Sequence, residues 1–169
     1  AADLNTIDGL TTTAVEATAV TEITGTASAI ATAMGSSGIN DAADVTATIG
    51  SGEAEVSDLL DIAELTTSVV STSAVTSISG TKSLLLEYQQ SDSFTGQAVE
   101  SFELSHSVDD AVIINSDLMG VYGALSNKDD FKFKLKGNDE INDITGAALN
   151  DSIWGYGKAD VLSGGAGKD

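Results

Sequence analysis

The chain has 169 residues, with 26 acidic side chains against seven lysines and no arginine, and its formal net charge is −19. This charge repels nucleic acids and anionic membrane surfaces, and it makes cations the natural partners. There is no Cys and only one His, His106, which excludes disulfides, thiolate chemistry and most histidine-based catalysis or zinc binding. No apolar run approaches the roughly 18 residues that a membrane span requires, so we expect none.

Residues 1–81 form a Thr- and Ala-rich region that contains an internal repeat. At one constant offset, Asp3–Thr12 aligns with Asp58–Thr67 and Ala19–Thr26 aligns with Ala74–Thr81, with apolar positions and a glycine kept in place. Each copy divides again into two units of about 27 residues, each a short helix followed by β-favouring residues.

Apolar residues three or four apart predict the helices, and runs of Val, Ile and Thr predict the strands. The predicted helices are 3–9, 27–35 and 56–65, with Ser28 and Ser57 as N-caps, and the predicted strands are 14–24, 45–49 and 69–79. Short helix-strand units of this kind favour an α/β solenoid with parallel strands. The alternative is a disordered Thr-rich stalk, which the regular aliphatic spacing disfavours.

Residues 82–130 hold larger side chains, and we predict further solenoid or a capping segment there. The segment 99–104 alternates like a half-buried strand, and a capped helix is predicted over 116–125. His106 and the pair Asp109-Asp110 fall in the intervening loops. Because no second His, no Cys and no nucleophile motif accompanies His106, we interpret it as a solvated loop residue rather than a metal or catalytic group.

The last region, residues 131–169, repeats every nine residues. Three columns recur: glycine at 137, 146, 155 and 164; an aliphatic residue at 135, 144, 153 and 162; and Asn or Asp at 142, 151, 160 and 169. This period predicts a coil in which two successive repeats make one full turn, with two short strands and two corners, and in which the aliphatic side chains point inward.

The acidic column predicts a metal site. Carboxylates at the ends of such turns stack above one another, which is unfavourable unless a cation lies between them. Calcium accepts about six to eight oxygen ligands, and Asp carboxylates with the carbonyl groups of Gly-rich turns supply them. We expect Asp151 to pair with Asp169 on one side, and Asn142 with Asp160 on the other. The alternative is that these residues are solvated turn formers that bind no metal.

The segment Asp160–Asp169 resembles the glycine- and aspartate-rich nonapeptide of RTX proteins, G-G-x-G-x-D-x-(aliphatic)-x. The resemblance covers residues 131–169. It implies that a parallel β-roll follows the solenoid and folds on extracellular calcium, in a protein exported by type I secretion. The metal-binding positions that it implies are Asp151, Asp160 and Asp169, with Asn142 in the same column, and Gly155, Gly157, Gly164, Gly165 and Gly167.

The repeat departs from the family pattern in its earlier turns. Tyr156 and Lys158 stand where the family prefers glycine, and Asn142 stands where it has Asp. The Asn142–Asp160 pair should therefore be a weaker site than the Asp151–Asp169 pair. We expect the β-roll to be truncated at its C-terminal end.

The Thr-rich segments 4–9 and 20–26 are similar to repeats in very large surface or secreted proteins of marine bacteria, notably cyanobacteria. Together with the RTX resemblance, they predict a non-catalytic, calcium-binding structural or adhesive segment of a secreted or cell-surface bacterial protein. Its expected partners are calcium ions and cell-surface or matrix components.

Two other functions stay open. The chain could be the export and folding module of an RTX-tailed protease, lipase or haemolysin whose catalytic domain lies outside it, since the sequence contains no H-E-x-x-H, G-x-S-x-G or phosphate-loop motif. Rows of hydroxyl groups could also bind carbohydrate or ice. The Thr positions do not form one rank at period two, which disfavours that function.

Overall fold

A computed structural model of the chain describes residues 1–96, 101–105, 112–113, 132–148 and 150–169. The predictions for His106, for Asp109-Asp110 and for a helix at 116–125 lie outside these residues. The chain divides into two compact units, one of Ala1–Val75 with Ser91–Gln97 and one of Thr76–Gln90 with Ala98–Asp169. None of the helices in the described ranges is long and apolar enough to cross a membrane.

Short helices alternate with short strands along the described chain. The helices are α1 (Ala2–Leu10), α2 (Ala27–Gly35), α3 (Val56–Leu65) and α4 (Lys82–Gln90). The strands up to α4 are β1 (Val15–Ala17), β2 (Glu22–Gly25), β3 (Ile39–Asp41), β4 (Thr46–Ile49), β5 (Gly52–Glu55), β6 (Val70–Ser71) and β7 (Val75–Gly80). Those after it are β8 (Phe94–Thr95), β9 (Ser101–Ser105), β10 (Val112–Ile113), β11 (Lys132–Lys136), β12 (Asp143–Thr145), β13 (Ser152–Trp154) and β14 (Val161–Ser163).

The first three helices lie where the apolar spacing predicts them, but the predicted N-caps are wrong. Thr26 caps α2, because its backbone is extended (φ −69°, ψ 154°) and its Oγ1 accepts a hydrogen bond from Ala29 N at 3.2 Å. Ser28 lies inside the first turn of α2, and Ser57 inside that of α3, so neither can take the extended conformation of a cap. The N-cap of α3 is Glu55, whose side chain makes no cap hydrogen bond.

The predicted long strands 14–24 and 69–79 are each two short strands. Tight turns separate them, with Val20 N donating to Ala17 O at 2.9 Å and Val75 N donating to Thr72 O at 3.0 Å. An unbroken strand over either range would be roughly 35 Å long, whereas a nine-residue helix such as α2 spans only about 14 Å. The break keeps each strand short enough to match the helices.

In the first unit all strand pairs that are described are parallel. Val15 of β1 pairs with Ile39 of β3, and Glu22 of β2 pairs with Thr46 of β4. The partners are 24 residues apart in both pairs. The same separation relates Asn40, whose Nδ2 donates a hydrogen bond, to Glu16, whose carboxylate accepts it. The sheet order is β2-β4-β6-β8. Its inward column is apolar and buried, and its outward column carries hydroxyl groups: Ile23, Ala47, Val70 and Phe94 inside, and Thr24, Thr48, Ser71 and Thr95 outside.

Hydroxyl groups also join successive repeats of the first unit, which accounts for its Thr- and Ser-rich composition. Thr66 Oγ1 donates to Val45 O at 2.7 Å, Ser68 Oγ donates to Asp44 O at 2.6 Å, and Thr72 Oγ1 donates to Thr95 O at 3.0 Å. The Thr95 carbonyl group also accepts from Thr72 N at 2.8 Å, so the hydroxyl group there adds a second hydrogen bond to a carbonyl that is already paired with the backbone.

The second unit contains two sets of parallel strands, in the order β7-β9-β11-β13 and β10-β12-β14. Lys134 of β11 pairs with Ser152 of β13, and Asp143 of β12 pairs with Val161 of β14, so the last strands pair at a shorter offset than those of the first unit. The aliphatic column is buried at Leu135 and Ile144 and half-buried at Ile153, but Leu162 is 47% exposed, so the predicted inward position is wrong there, in the edge strand β14. Among the described residues of this unit, the other buried apolar side chains are Ile78, Leu85, Tyr88, Phe133 and Ala147.

Candidate functional site

Four turns follow the last four strands, and they contain every residue that the sequence assigns to metal binding. They begin at glycines 137, 146, 155 and 164 and end at Asn142, Asp151, Asp160 and Asp169. Because β11 pairs with β13 and β12 pairs with β14, the turns form two sets. We call residues 137–142 with 155–160 the first turn pair, and residues 146–151 with 164–169 the second turn pair.

One carboxylate oxygen of each Asp in the column binds a backbone amide of the preceding coil. Asp169 Oδ1 accepts from Asp151 N at 3.0 Å, and Asp160 Oδ1 accepts from Asn142 N at 3.0 Å. Asp151 Oδ1 likewise accepts from Phe133 N at 3.3 Å. The structure thus brings together both predicted pairs, Asp151 with Asp169 and Asn142 with Asp160, but the contact that it shows joins a carboxylate to an N–H group.

The second carboxylate oxygen lies against the glycine that opens its own turn. A Cβ placed on Gly146 would overlap the Gly164 carbonyl oxygen and lie 2.7 Å from Asp151 Oδ2. Both oxygens are therefore within 2.7 Å of one point, although they belong to the two different turns of the second turn pair. Only a residue without a Cβ leaves this space open.

The first turn pair has the same arrangement. A Cβ on Gly137 would overlap Asn142 Oδ1 and lie 2.8 Å from the Gly155 carbonyl oxygen. In the last two turns the nearest atoms to the glycine belong to the Asp side chain of the same turn, Asp160 at Gly155 and Asp169 at Gly164. Among the described residues, Asp169 Oδ2 accepts no hydrogen bond.

The other predicted glycines shape the turns. Gly165 has φ +89°, and the carbonyl oxygens of Gly146 and Ala147 face the place where its Cβ would be. Gly167 has φ +152°. Gly157 lies against Asp139 and donates its N–H to Asn138 O at 3.4 Å.

Tyr156 and Lys158 adopt the left-handed conformation although they carry side chains. Their φ angles are +66° and +62°, in the turn that corresponds to the one containing Gly165 and Gly167. Such a conformation costs a non-glycine residue roughly 1–2 kcal/mol. The departures from the glycine pattern therefore strain the turn without changing its course.

Asp151 is the buried acid of the site, with 3% of its surface exposed. Burial is the main cause that raises the pKa of its carboxyl group, and the nearby charge of Asp169 adds to this effect. The hydrogen bonds from Ala147 N, at 2.7 Å, and from Phe133 N act in the opposite direction and lower the pKa. The balance leaves a buried carboxylate that a cation would stabilise.

Sequence reasoning missed Asn138 and Glu140 of the first turn pair, and it did not identify the partner of Lys158. Asn138 accepts hydrogen bonds at its Oδ1 from Glu140 N at 2.8 Å and from Asn142 Nδ2 at 3.1 Å. The ammonium group of Lys158 pairs with the Glu140 carboxylate across the two turns. Asn138 and Glu140 lie near Gly137, in the earlier turns, where the sequence departs from the repeat pattern.

The donor set of each turn pair is made of backbone carbonyl groups and one or two side chains. Within the described parts of the chain, no three His, Cys, Asp or Glu side chains lie together as a metal-binding group. Comparison with protein-family models, with curated proteins and with solved structures yields no match. Any functional assignment therefore depends on the geometry and chemistry of the turns.

Proposed function

We propose that residues 131–169 bind calcium and that the chain is a non-catalytic structural segment of an adhesive protein located outside the cell or on its surface. One observation carries this proposal. In the second turn pair, a buried carboxylate oxygen of Asp151 and the Gly164 carbonyl oxygen, from two different turns, both lie against Gly146.

Calcium fits the donors present at the second turn pair. It prefers hard oxygen ligands at about 2.3–2.6 Å, and carboxylates and backbone carbonyl groups are its usual protein ligands. Asp151, Asp169 and the carbonyl groups of Gly146 and Gly164 would hold the ion. When bound, calcium supplies the positive charge that offsets two carboxylates, one of which is buried.

The role of the whole chain follows from its repeated strand pairing. Parallel pairing at an offset of 23 or 24 residues in the first unit, and of 18 residues between the last strands, supports an α/β solenoid followed by a parallel β-roll. A solenoid is a spacer whose length grows with the number of repeats. Calcium binding coupled to folding would then make assembly depend on the external ion, because the binding free energy adds to the folding free energy. The remaining partners would be cell-surface or matrix components.

A calcium titration of the full chain tests the proposal. Fluorescence of Trp154, which ends β13, and circular dichroism should change with calcium at a midpoint of about 10⁻⁴–10⁻³ M, the range of extracellular modules. Magnesium at equal ionic strength is the control, because it demands stricter geometry and dehydrates reluctantly. A chain that binds neither ion at millimolar concentration would refute the proposal.

A pair of variants assigns the response to the second turn pair. Asp169→Asn should shift the calcium midpoint upward by about tenfold, since it removes a charged ligand. Asp143→Asn is the matched control, because Asp143 is an exposed acid in β12 that lies outside the turns. Equal shifts in the two variants would show a general effect of net charge, and the assignment to Asp169 would be wrong.

A further inference from the structure

We propose that two copies of the chain associate through the free edges of β13 and β14, with β13 of each copy pairing antiparallel with β14 of the other. This inference goes beyond calcium binding, and it rests on the proposed β-roll arrangement of the last strands. β13 pairs with β11, β14 pairs with β12, and each is the last strand in its sheet order. Among the described strands, both therefore have one side whose backbone N–H and C=O groups lack a ladder partner, and both free sides face away from the preceding coil.

Apolar side chains are exposed along these two edges. Leu162 belongs to the aliphatic column but is 47% exposed, and Val161 and Trp154 are 61% and 43% exposed. Leu135 and Ile144 of the same column, whose strands have a further strand beside them, are buried. Neither β13 nor β14 contains a charged residue or a proline, with which proteins commonly block a free edge. A strand laid against β14 would cover its column as β14 covers that of β12.

The aliphatic column determines how the two edges fit together. If Ile153 of one copy lies opposite Leu162 of the other, an antiparallel strand pair keeps both side chains on the inner side. The remaining pairs of this register match in polarity: Trp154 with Val161, and Ser152 with Ser163. An aromatic residue opposite a β-branched one is a favourable cross-strand pair. The exposed apolar side chains of one edge therefore meet those of the other.

A two-fold axis parallel to the strands produces this contact twice. β13 and β14 run in opposite directions on the two sides of the proposed β-roll, so the axis places β13 of each copy beside β14 of the other. The interface is then isologous and closes at two copies. Pairing β14 with β14 about Leu162 would instead place Val161 opposite Ser163 and leave Trp154 uncovered, which disfavours it.

The charge of the last coil is compatible with contact between two copies. Residues 152–169 contain two lysines and two aspartates, so their net side-chain charge is zero, in a chain whose net charge is −19. At the two-fold axis the turn 155–160 faces its own counterpart, and Lys158 and Asp160 make that turn neutral. The remaining repulsion between the copies comes from more distant acids, and salt screens it. The dimer should therefore tighten as NaCl is raised, whereas an interface held by ion pairs would weaken.

Sedimentation velocity of the full chain tests the association. Two three-residue strands with their turns should bury less than the roughly 800 Å² per partner of a standard interface, so we expect a weak dimer. Between about 10 μM and about 1 mM chain, with calcium and with EDTA, a dimer should form with a dissociation constant of about 10⁻⁴ M. A chain that stays monomeric in both buffers would overturn this inference alone, because the calcium titration measures the proposed function separately.

Two matched valines test the position of the contact. Val161→Lys places a charge on the free edge of β14 and should weaken the dimer at least about tenfold. Val69→Lys makes the same change at a valine that is 45% exposed in the first unit, and it should alter the dissociation constant less than about twofold. Equal effects of the two variants would place the association elsewhere and overturn the inference.

Disulfide trapping tests the register, because the chain contains no Cys. In a mixture of Trp154→Cys with Val161→Cys, the mixed disulfide should form in preference to either symmetric one, as measured by mass under non-reducing conditions. The control mixture is Trp154→Cys with Ser163→Cys, whose positions are offset along the strands in this register and lie beyond the roughly 7 Å between Cα atoms that a disulfide spans. A yield of mixed disulfide no higher than that of the control would contradict the pairing of β13 with β14.

Discussion

The close approach of two turns at Gly146 is the most demanding steric feature at the scale of single residues. The Gly164 carbonyl oxygen and Asp151 Oδ2 occupy the space of a Cβ there. The Gly164 carbonyl group cannot move aside easily, since Gly164 directly follows β14, which pairs with β12. A methyl group at this position would separate the turns.

Gly146→Ala should therefore destabilise the second unit by about 1–3 kcal/mol, the usual cost of overpacking. Gly9→Ala is the control, because Gly9 lies in α1 with no atom within 4 Å of its Cβ position. That change should stabilise by up to about 1 kcal/mol, since alanine favours helix. Urea unfolding followed by Trp154 fluorescence and by helical circular dichroism measures the two effects, and a neutral Gly146→Ala would contradict the close approach.

Asp58, in the first turn of α3, gives the first unit a pH dependence. Burial, followed by the charge of Asp61, raises the pKa of its carboxyl group above the ordinary value of 3.8. The folded state then holds this proton more tightly than the unfolded chain, and the stability that this group contributes declines as pH rises through the window above 3.8. Relative to the unaltered chain, Asp58→Asn should gain stability between pH 3 and pH 7, as measured by thermal unfolding at several pH values. A difference that does not vary with pH would contradict the raised pKa.

Residue types could be predicted from the sequence where they recur at a fixed spacing. The columns of Asp151, Asp160 and Asp169 and of their glycines are of this kind, and the structure brings these residues together in turns. The partners of Asn138 and Lys158 could not be predicted, because they lie in the same turn or in the neighbouring coil and do not follow from a repeated residue type. The periodic signal reports what successive turns share, so it misses what makes one turn pair different.

Helices and strands follow the same rule at the scale of elements. The apolar spacing that predicts α1, α2 and α3 is a local property, whereas the break between β1 and β2 goes with the pairing of β1 with β3. The sequence of residues 18–20 carries no proline or glycine to mark the turn that the Val20 N–H closes on Ala17 O. Corners of this type are recognised only after the pairing of β1 with β3 is known.

The N-cap of α2 separates the observed helix start from the predicted one. Thr26→Ala should lower the stability of the first unit by about 1 kcal/mol, because it leaves the Ala29 N–H without its side-chain acceptor. Ser28→Ala should have little effect, since Ser28 is an exposed residue inside the helix. Urea unfolding of the two variants, followed by helical circular dichroism, compares the positions. A larger loss from Ser28→Ala would place the cap where the sequence pattern predicts it.

The charge of the molecule is divided unequally between its two units. The first unit contains 12 acidic side chains and no lysine, whereas all seven lysines lie at or beyond residue 82. Repulsion within the first unit is spread over many exposed carboxylates, and any monovalent salt screens it. The second unit contains the other 14 acidic side chains and all seven lysines, and in it Asp151 and Asp169 lie in one turn pair, where Asp169 Oδ1 accepts from Asp151 N.

This difference predicts distinct responses of the two units to salt and to calcium. Raising NaCl from about 10 mM to about 500 mM shortens the Debye length from about 30 Å to below about 10 Å, so it should raise the unfolding temperature of the first unit, followed by helical circular dichroism. Adding calcium at constant high NaCl should then raise only the transition followed by Trp154, which lies in the second unit. If calcium at high salt raised both transitions equally, its action would be general charge neutralisation. A selective rise of the Trp154 transition requires an ion held by specific oxygens, because screening is already complete at that ionic strength.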